Sequence, residues 1–177
     1  MLNRFLHEVY VSAIPIILIT MLVLLIVWSV FGAVFYQKMR KVSMVAAILS
    51  AAVILYVTLF SRSIGARSYN LIPFSSFQRA VENPELYRTM LMNVFLFMPL
   101  GLALPFVFKG STGKRILLTI EVGFVLSITV EALQGFLALG MVETDDVICN
   151  TLGAAIGCCA YLLSIFWSKL INKTLDK

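Results

Sequence analysis

Charged residues are scarce in this sequence. Of its 177 residues, 60% are hydrophobic and only 13% are charged, whereas soluble domains carry charges at about 25% of positions. Too few charged residues are present to form the water-facing surface of a soluble domain, and this excludes a soluble globular fold. Four stretches contain no Asp, Glu, Lys or Arg at all, namely 9–37, 42–61, 89–108 and 147–168.

Histidine and cysteine are also scarce, which limits the chemistry that the chain can support. The one histidine, His7, precedes the first apolar stretch, so no Ser-His or Cys-His pair is available for hydrolysis. The three cysteines, Cys149, Cys158 and Cys159, all lie in the last apolar stretch. This placement favours plain packing over a disulfide framework or a metal site. We expect no metal and no cofactor.

The apolar stretches have the length of membrane spans. About 20 residues of helix cross a hydrocarbon core of about 30 Å at 1.5 Å per residue. We predict an all-α, polytopic transmembrane helix bundle of about five spans, forming a single membrane domain over residues 1–177. The predicted spans are 12–36, 43–61, 89–108, 116–138 and 147–168. The first is too long for a signal peptide, and no small-residue cleavage site follows it.

The net charge of +5 reflects membrane topology and does not indicate nucleic-acid binding. Lys and Arg cluster in short segments between the spans, nine on one side and five on the other. The positive-inside rule therefore places the N-terminus outside and the C-terminus in the cytoplasm. With this orientation, the loop 62–88 and the acidic turn 143–146 both lie on the outer face.

Polar residues at membrane depth are concentrated in the second half of the chain. Glu131 lies about 22 Å along the fourth span at 1.5 Å per residue, and Gln134 shares its face at i+3. A carboxylate at this depth costs several kcal/mol unless it has a partner, so it predicts a functional site. The structural alternative is a buried, protonated Glu131 that holds helices together. Glu121, nearer the cytoplasmic end, is assigned to anchoring beside Lys114 or Arg115.

The third and fifth spans place further polar side chains at the same depth. Asn93 lies about one turn inside the third span, where an interhelical hydrogen bond is the alternative role. Asp145 and Asp146 fit a helix N-terminus, where capping is the alternative role for one of the two but hardly explains both. Asn150 shares the face of Asp146 at i+4.

Together these residues predict one polar pocket on the outward-facing side of the membrane, where the membrane meets water. The loop before the third span is placed to cover it, although its Tyr69–Phe74 stretch also suits an interfacial or re-entrant segment. The candidate pocket residues are Asn70, Asn93, Glu131, Gln134, Asp145, Asp146 and Asn150, with Arg62 and Arg67 at the rim.

The order and spacing of these motifs resemble the VanZ-like family of bacterial membrane proteins over residues 54–163. The motifs are Asn70-Leu71-Ile72-Pro73-Phe74, Asn93-x-x-x-Phe97-x-Pro99-Leu100-Gly101, Glu131-x-x-Gln134, and Asp145-Asp146-Val147-Ile148-x-Asn150-Thr151-x-Gly153-x-x-x-Gly157. Gly153 and Gly157 form a small-xxx-small pattern, which is typical of close helix packing. Residues 140–143 lack the basic residue that family members often carry before the Asp-rich turn.

The resemblance implies a cell-envelope function in the bacterial cytoplasmic membrane, since the family's namesake is associated with low-level teicoplanin resistance. It implies membrane lipids as partners, together with a lipid-linked cell-wall precursor or the glycopeptide itself. Two other functions are open. One is an enzyme acting on a lipid-linked substrate, with Glu131 and Asp146 as acid and base or as ligands of a hard cation. The other is a small transporter, although no inverted repeat is visible.

Overall fold

The computed structural model describes residues 2–65 and 67–175, and the side chains of residues 13–65 and 67–174. The side chain of His7 therefore lies outside the described ones. The helices are α1 (Leu2–Val34), α2 (Tyr36–Leu55), α3 (Ser75–Ala80), α4 (Pro84–Val107), α5 (Thr112–Leu137) and α6 (Thr144–Leu175). A π-helical turn, Tyr56–Phe60, continues α2, and the two short strands are β1 (Ser68–Asn70) and β2 (Met141–Glu143).

Five of these helices are long and apolar enough to cross a membrane. They are α1, α2 with its π-helical turn, α4, α5 and α6, and each overlaps one of the predicted spans. The predicted all-α bundle of about five spans is confirmed. Which end of the bundle faces outward stays a prediction.

Several helices extend beyond the apolar stretches that predicted them. The segment 37–42, expected to be a connection, lies inside α2, because lysine and arginine are good helix formers and leave their charges exposed here. Helix α4 begins at Pro84, five residues before the predicted span. The Asn83 side chain caps it by accepting a hydrogen bond of 3.1 Å from Glu85 N. A charged residue ends a hydrophobic window, but it does not end a helix.

Helix α4 lies at the centre of the bundle, in contact with the other four long helices. Its closest neighbour is α6. A Cβ atom on Gly153 would overlap Val94 O, and one on Gly157 would overlap Met98 O. Gly101 faces α6 in the same way from α4. The small-xxx-small pattern therefore lets the two backbones touch, which aligns the polar N-terminal ends of both helices.

Candidate functional site

A small parallel sheet joins the long loop to the turn that precedes α6. Strand β1 pairs with β2, with Asn70 opposite Glu143. At the same end, Gly65 N donates a hydrogen bond of 2.8 Å to Ala138 O. Ala138 has a φ of 54° and ends α5 in the left-handed conformation. These contacts hold the loop after α2 against the end of α5 and the beginning of α6.

Asp145 holds this loop in place. Its side chain is 1% exposed, and its carboxylate accepts hydrogen bonds from Phe74 N at 2.6 Å and from Ser76 N at 2.7 Å. Phe74, at the start of α3, has a φ of 64°, a strained value for a bulky residue. Asp145 and Asp146 both lie in the first turn of α6, at the helix N-terminus where the sequence places them. The Asp145 side chain, however, caps α3, which lies 69 residues earlier in the chain.

Glu143 contacts a second group of polar side chains on the loop. Its carboxylate lies 3.8 Å from Arg79 Nη2 and accepts hydrogen bonds of 3.5 Å from Asn70 Nδ2 and from Ser76 Oγ. Arg79 Nη2 also donates to Ser76 Oγ at 2.9 Å. Glu143 and Arg79 were not among the predicted site residues. The acidic turn was a signal for Glu143, whereas nothing in the sequence pointed to Arg79.

Glu131 lies beneath β2 in the wall of the bundle. Its side chain is 5% exposed, and Oε2 accepts a hydrogen bond of 3.0 Å from Glu143 N. Its charged neighbours are Asp146, Glu143 and Arg62. The carboxylates of Glu131, Asp146 and Glu143 therefore lie close to one another and to Arg62 at the end of the bundle that the loop covers.

Asp146 connects this group to α4. The Asn93 amide faces its carboxylate, although Asn93 Nδ2 makes no well-formed hydrogen bond within the described part of the chain. The charged groups that act on Asp146 include Glu143, Arg62 and Asp145. Asp145 and Asp146 thus point to different partners, the first to the loop and the second to the bundle interior.

Gln134 and Asn150 hold helices together. Gln134 Nε2 donates to Thr58 O at 2.9 Å, which ties α5 to the π-helical turn after α2. Asn150 Nδ2 donates to Ser127 Oγ at 2.8 Å and ties α6 to α5. Their oxygens, Gln134 Oε1 and Asn150 Oδ1, are buried and have no hydrogen-bond partner among the described residues.

A cavity of about 400 Å³ opens beside Glu131. Arg67, a predicted rim residue, lies at its edge and donates a hydrogen bond of 3.0 Å from Nη2 to Phe136 O. A Cβ atom on Gly135 would come within 2.9 Å of Val142 Cγ2, so the glycine leaves room in the wall. The lining residues include Arg67, Tyr69, Glu131, Gly135, Phe136 and Val142.

A second, apolar groove of about 280 Å³ runs between α3, α4 and α6. Its surface is almost entirely hydrocarbon and aromatic. The lining residues include Phe77, Val81, Tyr87, Met90, Leu91 and Leu152.

Comparison with known proteins identifies the family. The VanZ/LLP1 family model matches residues 14–167. The chain belongs to the VanZ/LLP1 family. It is similar to Protein VanZ of Enterococcus faecium, with 38% identity over 120 residues, which are 63% of this chain and 62% of that protein. The chain thus matches less than two thirds of that relative's length. No solved structure matches it significantly.

The VanZ/LLP1 match confirms the family that the motifs predicted and extends it from residues 54–163 to most of the chain. Within this family member, the structure brings Glu131 and Asp146 near Arg62, and Asn93 faces Asp146. Asn70 lies in the covering loop, which Asp145 binds from the first turn of α6. Gln134 and Asn150 serve helix contacts. Among the residues that the structure describes, no group of three or more His, Cys, Asp or Glu side chains is arranged to hold a metal ion.

Proposed function

We propose that this protein acts at the outer face of the bacterial cytoplasmic membrane and lowers susceptibility to teicoplanin-type glycopeptide antibiotics. Family membership and the similarity to Protein VanZ support this role. The five apolar helices agree with an integral membrane location. In this proposal, the loop-covered end of the bundle meets the antibiotic or its lipid-linked cell-wall target.

The strongest support in the structure is the position of Glu131, a buried carboxylate in the wall of a cavity about 400 Å³ in volume. A cavity at the edge of a helix bundle that carries one acidic and one basic side chain suits the headgroup of a lipid or of a lipid-linked envelope component. The apolar groove beside Phe77 and Met90 suits an acyl tail. Teicoplanin carries such a tail, whereas vancomycin lacks one.

Expression in a susceptible Gram-positive host tests this function directly. We expect the protein to raise tolerance to teicoplanin more than tolerance to vancomycin, because the apolar groove has nothing to bind in the second drug. Minimal inhibitory concentrations are compared with those of an empty-vector strain, after membrane abundance has been verified. Equal protection against both drugs, or protection against neither, contradicts the proposal.

The proposed site also requires the loop-covered end to face outward. Gln78 is exposed on α3, so Gln78→Cys offers a labelling site once Cys149, Cys158 and Cys159 have been replaced by alanine. We expect an impermeant thiol reagent to label intact cells. As a control, Lys173→Cys, near the opposite end of the bundle, is labelled only after lysis. The reverse pattern places the site in the cytoplasm and rules out the proposed mode of action.

Catalysis on a lipid-linked envelope substrate is a second candidate function. Glu131 and Asp146 are neighbouring carboxylates on two different helices, with Arg62 and Asn93 beside them, and such a pair can serve as general acid and base. Mass spectrometry of lipids and cell-wall precursors from cells with and without the protein tests this idea. A new or depleted species that returns to normal in Glu131→Gln supports catalysis, whereas identical profiles support binding alone.

A further inference from the structure

The cavity beside Glu131 carries one acidic and one basic side chain on its wall. Glu131 accepts its hydrogen bond from Glu143 N through Oε2, and within the described residues Oε1 accepts none. Arg67 uses Nη2 for Phe136 O, and a guanidinium has five N–H donors in all. Among the described residues, Glu131 and Arg67 form no salt bridge with each other. Both therefore keep capacity for a ligand.

Burial of the Glu131 carboxylate is stabilised either by a proton or by a cationic partner. A carboxylate removed from water loses its hydration, and one backbone N–H replaces only part of it. Asp146 and Glu143 add negative charge around it, which Arg62 offsets in part. An ammonium group at Oε1 supplies the missing charge, and its N–H groups supply hydrogen bonds. Arg67, at the edge of the same cavity, suits a phosphate.

The surface below the cavity indicates that the ligand is a membrane lipid. Val125, Ile128 and Phe136 on α5 are 55%, 44% and 76% exposed, and Ala132 lies between the last two. These residues follow one another at three- and four-residue intervals, so they form one apolar stripe along the helix. The stripe leads from the cavity into the hydrocarbon depth of the bundle, where acyl chains lie.

We propose that this cavity binds a phospholipid whose headgroup carries both a phosphate and a primary ammonium. The ammonium binds Glu131, the phosphate binds Arg67, and the acyl chains follow the α5 stripe. The inference rests on the proposed function in that it names the lipid class for the same pocket. Gly135 contributes to selectivity, because a side chain there would crowd Val142 and narrow the cavity.

Lipid binding to the purified protein tests this selectivity. The full-length protein in detergent is titrated with phosphatidylethanolamine, phosphatidylcholine or phosphatidylglycerol of identical acyl chains, and bound lipid is counted by native mass spectrometry. We expect phosphatidylethanolamine to bind about tenfold more tightly than either competitor. The quaternary amine of phosphatidylcholine has no N–H to donate, and phosphatidylglycerol has no cation. Equal retention of the three lipids overturns the proposal, and no variant is needed to see it.

Variants assign the two charges to their partners. Glu131→Gln abolishes the preference for phosphatidylethanolamine, whereas Arg67→Gln weakens phosphatidylethanolamine and phosphatidylglycerol alike. The control is Glu121→Gln, since Glu121 is an exposed carboxylate on the same helix beside a different cleft. It leaves the lipid preference unchanged. A Glu131→Gln protein that still prefers phosphatidylethanolamine overturns the assignment.

Two further comparisons distinguish lipid binding from binding of the free headgroup and from the proposed antibiotic function. Free phosphoethanolamine has the same two charges but no acyl chains, so at a concentration equal to that of the lipid it does not displace it. Displacement at equal concentration overturns the role of the α5 stripe. The lipid titration contains no antibiotic, so its result does not depend on the proposed function. Lipid selectivity without drug tolerance therefore contradicts only the proposed function. Tolerance without lipid selectivity contradicts only this inference.

Discussion

The first two helices and the pair formed by α4 and α6 interact with their surroundings in different ways. In the most apolar windows of α1 and α2, 11% and 22% of the residues are buried, compared with 61% in α4 and 50% in α6. A bilayer solvates apolar side chains, so lipid covers most of the surface of α1 and α2. The central pair depends on specific contacts within the protein.

The same division separates scaffold from candidate site. The buried polar side chains of α2 and of the described part of α1, such as Ser29 and Ser43, are small. The central pair and the adjoining end of α5 carry Asn93, Glu131 and Asp146. Lipid-facing positions require only apolar character, whereas the central positions require a particular shape and particular hydrogen bonds. Substitutions are therefore expected to have much larger effects in the centre.

Removal of a central aromatic ring is expected to have the largest effect on stability. Phe97 on α4 is 0% exposed, and Phe→Ala in a core costs about 3–5 kcal/mol. We expect Phe97→Ala to lie at about 3 kcal/mol, because the bilayer removes much of the water-transfer contribution and leaves lost packing.

The control is Ile19→Ala on α1, where Ile19 is 61% exposed. We expect a change within about 0.5 kcal/mol, as for ordinary surface substitutions. Thermal unfolding of both variants in the same detergent measures the difference. Similar losses at the two positions break the contrast between the two regions.

Contact between the α4 and α6 backbones is the next feature to test. Gly153→Ala adds a methyl group that overlaps Val94 O, and overpacking of this kind costs about 1–3 kcal/mol. Gly113→Ala makes the same chemical change on α5, where a Cβ atom meets nothing within 4 Å. That control is expected to be neutral or slightly stabilising, because alanine is the better helix former. Equal melting temperatures for the two variants contradict the close approach.

Much of this architecture follows from simple patterns in the sequence. Charge-free stretches of about 20 residues predicted the spans, and the spacing of Gly153 and Gly157 predicted a close helix contact. Helix ends were harder to predict, because charged residues such as Lys38 and Glu85 continue a helix past its membrane-spanning part. The β1–β2 pairing was not predictable, since two three-residue strands so far apart in the chain carry no periodic signal.

The candidate site shows a similar limit. Residue type and depth selected Glu131 and Asp146, whose neighbours the structure then identifies. The same criteria also selected Gln134 and Asn150, whose side chains bind Thr58 and Ser127. Depth alone cannot separate a pocket residue from an interhelical hydrogen bond, because both place an amide inside the bundle.

The two adjacent aspartates test the roles of loop and site independently. Asp145→Asn keeps one of two acceptor oxygens, so one charge-assisted hydrogen bond to the loop is lost, at about 1.5–3 kcal/mol. We expect the amides of Phe74 and Ser76 to exchange with deuterium at least about tenfold faster. Asp146→Asn leaves their exchange unchanged, since Asp146 faces Asn93. Equal exchange in both variants contradicts the assignment of the loop to Asp145.

The smallest effect on stability is expected at the residue that we consider most important for function. Glu131→Gln nearly preserves shape and keeps an oxygen for the hydrogen bond from Glu143 N, so we expect a melting temperature close to that of the wild type. Teicoplanin tolerance is nevertheless expected to be lost in Glu131→Gln, and likewise in Asp146→Asn. The double variant Glu131→Gln/Asp146→Asn is little worse than either single variant, because residues that act as a unit are non-additive.

Glu121→Gln is the matched control. Among the described residues, Glu121 makes no hydrogen bond or ion pair, and its expected contact with Lys114 or Arg115 is absent. Arg115 instead binds Gly110 O and Pro105 O. We expect Glu121→Gln to keep full tolerance. If Glu131→Gln and Asp146→Asn keep it as well, the shared site does not exist. If both lose protein abundance together with tolerance, these carboxylates hold helices together, and the central pair differs from α1 and α2 in packing alone.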